Sequence, residues 1–294
     1  MKNFRIFGLV LLTAICLTMS SLVGCKSGSP KSVAAVADSS RVFTTDSIVF
    51  DKKADSTLNC RIVVDYPVGD DSLSVGVRNY IAQQLGLLYL PVSNNLQSDN
   101  SSLLYKGSLG NGESLVNYYG FGTLDYLKDQ QDELLSVAEG ETPSMSFDAS
   151  IRRIAETKHY ITYQSNYYAY LGGAHGSAGS YSTNIVKATG KVLGATVDTL
   201  KVKEMQPILR KYVLEYIKKG GDTEVTDNNL NDYLFIDNGI IPIPTFTPSL
   251  AEQGVHFVYQ QYEIGPYAMG MIDFTVPYAE IKPFMTKEAL ELIK

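Results

Sequence analysis

The chain has 294 residues, 25 basic and 31 acidic, for a formal net charge of −6, with 45% hydrophobic against 19% charged side chains. That balance belongs to a globular protein rather than a disordered one. An acidic chain without a basic run has nothing with which to neutralise a phosphate backbone, which argues against nucleic acid as a partner.

The N-terminus carries a targeting pattern. Lys2 and Arg5 precede an apolar run from Ile6 to Met19, too short for the ~20 residues that span a bilayer and right for a signal peptide. It ends in Leu22-Val23-Gly24-Cys25, a tetrapeptide that resembles the bacterial lipobox. The expectation is a lipoprotein signal peptide over 1–24, removed by cleavage, with Cys25 acylated and held in the lipid bilayer. Each buried CH₂ of an acyl chain contributes roughly 0.8 kcal/mol, so two or three chains anchor durably. Cleavage removes two bases and no acid, leaving 23 basic and 31 acidic residues and a charge of −8. Lys26 follows the cysteine without an acidic run, which points to the outer membrane facing the periplasm. Residues 25–41, rich in Ser, Ala, Gly and Pro, read as a flexible tether. Only Cys25 and Cys60 survive cleavage. With Cys25 acylated no internal disulfide forms, and Cys60 reads as a small buried apolar residue.

Folded structure is expected from Val42. Ser47 to Lys52 and Leu58 to Asp65 read as strands, the second alternating through Cys60, Ile62 and Val64. From Ser72 to Tyr89, Leu73, Val77, Tyr80, Ile81, Leu85 and Leu88 line one helical face. Val92 to Ser102 is polar and loop-like. A second helix is expected from Glu113 to Ala138, with Gly120 and Gly122 as candidate breaks. Met145 to Ala155 and His159 to Tyr170 alternate as strands joined at Glu156-Thr157, and Tyr181 to Ala188, turned by Thr189-Gly190-Lys191 into Val192, forms a hairpin. Met205 to Lys218 is an amphipathic helix stopped by Gly220-Gly221. Ile243 to Thr247, Val255 to Tyr259 and Met271 to Val276 are the later strands, and Thr286 to Ile293 closes the chain as a helix. Strands cluster and helices fall between hairpins. The fold class is therefore α+β, with largely antiparallel sheets, amphipathic helices packed on them, and two subdomains over 42–172 and 173–294.

Two stretches stand out, Tyr170-Leu171-Gly172-Gly173-Ala174-His175-Gly176 and Tyr262-Glu263-Ile264-Gly265-Pro266-Tyr267-Ala268-Met269-Gly270. At these residues the sequence resembles the ectodomain of the RsiV-type lysozyme-sensing anti-sigma factors. Its paired domains of unknown function also occur N-terminal to certain peptidoglycan deacetylases. The resemblance covers roughly Val42 to Phe284 and extends to the opening strand pair, the T-G-K hairpin with its following helix, and Val276-Pro277-Tyr278. It implies an envelope α+β domain whose characterised members bind lysozyme or accompany cell-wall enzymes. The chain departs from the pattern in having neither a transmembrane helix with a cytoplasmic sigma-binding segment nor a catalytic domain with paired metal-binding histidines.

Enzyme readings of the same residues are weaker. His159, His175 and His256 do not sit at the spacing of a helical metal motif. Ser177 follows Gly176, but His175 occupies the first glycine position of a G-x-S-x-G elbow. Glu263, Asp273 and Glu280 are candidate acids whose spacing decides nothing. The glycines around His175 let the backbone turn while the ring donates to a nearby carbonyl, or else the ring contacts a ligand. Glu263 reads as part of an internal hydrogen-bond network and Gly265-Pro266 as a rigid turn. The sequence therefore predicts a non-catalytic, membrane-anchored envelope binding lipoprotein, with no cofactor and no metal. The resemblance implies a lysozyme-type muramidase or cell-wall peptidoglycan as its partner, with Tyr170, Gly172, Gly173, His175, Gly176, Glu263 and Tyr267 as the candidate binding or structural loop. The alternative is a peptidoglycan-modifying enzyme.

Overall fold

The computed structural model describes residues 43–93, 100–137 and 142–294. The expected signal peptide, Cys25 and the whole tether lie outside the described residues. The architecture is α+β, built on a six-stranded and a three-stranded sheet.

Strand β1 (Thr45–Lys53) pairs antiparallel with β2 (Leu58–Pro67). The chain then passes through α1 (Ser72–Leu88), a single turn α2 (Leu90–Ser93), a 3₁₀ turn at Asn100–Leu103 and α3 (Gly112–Val137). It returns as β3 (Met145–Glu156), parallel to β2, and continues antiparallel through β4 (Tyr160–Tyr170), β5 (Ser177–Val186) and the short β6 (Lys191–Val192). This sheet runs on across position 172/173, where the two subdomains were expected to meet, because β5 pairs with β4 along its whole length. The chain continues through α4 (Gln206–Lys219) to β7 (Ser249–Leu250), β8 (Gly254–Tyr259) and β9 (Ile272–Pro277), which form the second, antiparallel sheet. Helical turns α5 (Tyr278–Ile281) and α6 (Lys287–Leu292) follow.

Helix α1 starts where its end can be capped. Asp71 accepts from the Leu73 and Ser74 amides at 3.0 Å each, satisfying two of the four amides a helix start leaves unpaired. The stripe of α1 (Val77, Tyr80, Ile81, Leu85) then packs with Leu115, Val116 and Leu127 of α3 over Ile62, Val64, Phe147 and Ile151 of the large sheet. A second core gathers Leu209, Val213 and Ile217 of α4 with Phe257, Tyr259, Phe274 and Val276.

Two local expectations are corrected. Gly120 and Gly122, the candidate breaks, interrupt nothing: the helix runs unbroken from Gly112 to Val137. The glycines serve close packing: a Cβ on Gly120 would lie 2.5 Å from the buried Phe50 ring, and one on Gly122 would lie 2.1 Å from the Tyr89 Oη. The strand expected over Ile243 to Thr247 is irregular chain. Pro242, Pro244 and Pro248 have no N–H to give a ladder, and side chains hold backbone groups of the segment and its flank. Gln206 donates to the Ile241 carbonyl and accepts from its amide, both at 2.9 Å, and the Tyr259 hydroxyl donates to the Pro242 carbonyl at 2.8 Å.

The two halves meet on β5. Beyond β6 its free edge would be a row of unpaired backbone groups, and amide side chains cover it. The Ser180 N–H donates to Gln260 Oε1 at 3.1 Å, while Gln260 Nε2 donates back to the Ser180 carbonyl at 2.9 Å. The Ala178 N–H donates to Gln261 Oε1. Buried Asn184 makes the same two-bond clasp on the backbone of Leu250. Each amide replaces a strand partner, and together they bring the loop before β5 beside the segment between β8 and β9.

Candidate functional site

That junction unites the two stretches singled out in the sequence, which lie about ninety residues apart along the chain. Gly172 turns the chain out of β4 with φ of +80°, a conformation glycine adopts without penalty. Tyr170 Oη donates to the Gly173 carbonyl at 3.0 Å, holding the turn. Gly176 is buried, and a Cβ there would lie 2.4 Å from the Tyr168 ring. His175 between them is exposed. Its ring stacks on Tyr267, with centroids 4.0 Å apart and planes within 24°. Its Nδ1 lies 3.1 Å from the Gly176 carbonyl, which also accepts from Tyr267 Oη at 3.1 Å.

Tyr262 completes the cluster. Its ring centroid is 5.6 Å from that of Tyr267, and its hydroxyl lies 3.4 Å from His175 Nε2. Its φ of +66° is a conformation that L-residues with bulky side chains rarely adopt. Glu263 stabilises the bend: its Oε2 accepts from the Gln260 amide and its Oε1 from the Thr245 amide, both at 2.6 Å. Glu263 therefore pins the Tyr262 loop to the proline-rich segment. Charge-assisted bonds of this kind are about twice as strong as neutral ones.

The structure thus gathers Tyr170, Gly172, Gly173, His175, Gly176, Glu263 and Tyr267 at one junction. Sequence reasoning did not select Tyr262, Gln260, Gln261 or Thr245. Tyr262 sat inside a motif already noticed, but its backbone conformation and ring contacts carry no signal in the sequence.

The other candidates stay apart. His256 pairs with Asp273 across β8 and β9 at 3.4 Å, and Glu280 accepts from Lys211 and from Tyr212 Oη. The Lys211 and Tyr212 contacts hold the Glu280 carboxyl below its usual range. Ser177 opens β5 opposite Ala169, in a strand pair rather than a strand-to-helix elbow. No cluster of three or more His, Cys, Asp or Glu side chains able to hold a metal ion occurs among the described residues. No helix among them is long and apolar enough to cross a membrane.

Residues 198–279 match the family DUF3298, described as a protein of unknown function. The whole fold is similar to two solved structures of that family. One, from Bacteroides fragilis NCTC 9343, has a TM-score of 0.62 and 19% identity and covers 86% of this chain and 97% of its own. The other, from Pseudomonas aeruginosa PAO1, has a TM-score of 0.53 and 14% identity, covering 85% and 98%. At these identities the likeness is one of fold. No curated protein matches the chain.

Proposed function

From a DUF3298 region set in a fold shared with DUF3298 proteins, we propose that this chain is an envelope lipoprotein, anchored through Cys25, that binds a lysozyme-type muramidase. The observation that carries the reading is the stack of the exposed His175 ring on the half-buried Tyr267 ring, flanked by half-buried Tyr262 and built on a braced backbone. Partly accessible aromatic side chains on a rigid support are the kind of anchor that dominates protein–protein contacts. The resemblance to lysozyme-sensing ectodomains includes the two motifs that form this surface. The enzyme alternative would use His175 and Glu263. Both oxygens of Glu263 already accept backbone amides, so using it as an acid or base would dismantle the loop that positions the rings. The exposure of His175 likewise favours a contact surface over an internal structural hydrogen bond.

The test is titration of the purified protein with c-type lysozyme, and separately with muropeptides. The expected outcome is a one-to-one lysozyme complex that His175→Ala weakens at least about tenfold, roughly 1.4 kcal/mol, with an unchanged Tm. No complex at tens of micromolar, or turnover of muropeptides, would refute the proposal. For the anchor, Cys25→Ala should leave an uncleaved, unacylated precursor; a normally processed protein in the membrane fraction would exclude lipidation at that residue.

A further inference from the structure

A second surface lies on α3, at the end away from the His175 loop. Gly122 on this helix is twelve residues from Leu134, whose side chain lies where a Cβ on Gly172 would meet it at 3.3 Å, a separation of about 18 Å along the helix. Here Tyr89, Tyr105, Ser114, Asn117, Tyr118, Phe121, Gly122 and Asp125 line an open groove of about 560 Å³, within the ~300–1,000 Å³ of small-ligand sites. Phe121 is 52% and Tyr118 40% exposed. Large rings left half in water on adjacent helical turns make an apolar patch of the kind that marks a contact or ligand site.

The rings are held in place before any ligand arrives. Tyr118 Oη donates to the Leu103 carbonyl at 3.0 Å, and the Tyr105 ring packs 5.5 Å from the Tyr118 ring. The Tyr105 amide donates to Tyr119 Oη at 3.2 Å, and Tyr119 in turn packs edge-on to both Tyr118 and Tyr89. Such preorganisation lowers the ordering cost of binding. Gly122 leaves room for the Tyr89 hydroxyl at the groove floor, where any Cβ would collide with it.

The polar side chains identify the ligand class. Ser114, Asn117 and Asp125 are exposed and share the ring-bearing face of α3, offering a hydroxyl, a carboxamide and a carboxylate. This set of donors and acceptors suits vicinal hydroxyl groups. The ring faces suit the C–H face of a pyranose, whose hydrogens carry partial positive charge against the negative face of the π-system. One carboxylate and no cation disfavour an anionic ligand. A quaternary ammonium would need rings closed around it as a cage, whereas these lie along an open strip. We propose that this groove binds an uncharged pyranose oligosaccharide in an extended, β-linked form, which suits a straight lining face that runs about 16 Å along α3 from Ser114 to Asp125. The proposal does not depend on the muramidase surface.

The test uses the purified full chain, titrated with chitotetraose and with cellotetraose and followed calorimetrically. The expected result is saturable binding of at least one of them with a Kd of about 1 mM or tighter. Phe121→Ala should weaken it about tenfold and Asn117→Ala about threefold, whereas His175→Ala should leave it unchanged. Phe121 touches buried Phe50 with ring centroids 5.0 Å apart, so the exposed Asn117→Ala keeps the test valid if Phe121→Ala misfolds. Binding of neither tetrasaccharide, binding that Asn117→Ala and folded Phe121→Ala leave unaltered, or saturable uptake of tetramethylammonium in their place would overturn the assignment. Loss of lysozyme association in His175→Ala with saccharide binding intact would be the behaviour of two separate sites.

Discussion

Substituting Gly120 by alanine sets helix propensity against packing. In a helix interior, Gly→Ala ordinarily gains roughly 0.5–1 kcal/mol, because alanine loses less backbone freedom on folding. At Gly120 the new Cβ would lie 2.5 Å from two carbons of the Phe50 ring. Phe50 is 1% exposed, and its other neighbours include the Phe121 ring, so it has little room to retreat. Overpacking of this kind costs roughly 1–3 kcal/mol. Packing therefore wins, and a net destabilisation of about 1–2 kcal/mol is expected. With a urea m-value of about 3 kcal/mol/M, the unfolding midpoint should fall by roughly 0.5 M at constant m. A smaller ring site should relieve the clash: Gly120→Ala combined with Phe50→Leu should be less damaging than the sum of the two, by at least about 0.5 kcal/mol. Gly173→Ala is the control, since a Cβ there meets only the His175 carbonyl oxygen at 4.0 Å. A Gly120→Ala protein as stable as the parent, or strict additivity with Phe50→Leu, would refute the packing argument.

Glu263→Gln removes the charge from two amide clasps and leaves one acceptor oxygen for two donors, so stability should drop by roughly 1–3 kcal/mol; an unchanged denaturation midpoint would count against the clasp. Burial leaves Cys60 with no exposed surface and pushes its thiol up to about 12, so a thiol reagent at pH 8 should label it only on unfolding. Rapid stoichiometric labelling of the folded Cys25→Ala protein would contradict that placement. Burial also raises Tyr80, Tyr163, Tyr181 and Tyr259 above the ordinary tyrosine range. The unfolded chain releases those protons near pH ~10 while the folded chain retains them, so stability should fall as pH rises beyond about 10. A spectrophotometric titration should show part of the twenty tyrosines ionising only with unfolding; full ionisation of the folded protein near pH 10 would exclude the effect.

The sequence by itself determined most of the elements. The apolar spacing from Leu73 to Leu88 and the alternation of Cys60, Ile62 and Val64 are local signals, read from residues a few positions apart. They also settled the α+β class, since strands and helices do not alternate as they must in a parallel-sheet protein. The tertiary structure decided the features that depend on distant partners. Gly120 and Gly122 carry the composition of a helix break, yet Phe50 and Tyr89 make them contact points. The apolar residues between Pro242 and Thr247 look like a strand, yet Gln206, Tyr259 and Glu263 take up the backbone that a neighbouring strand would have paired. The placement of His175 against Tyr262 and Tyr267 rests on amide clasps such as Gln260 on Ser180, eighty residues apart. A glutamine that will replace a strand partner looks in sequence like any surface glutamine, because hydrogen-bond geometry exists only once the two segments have met.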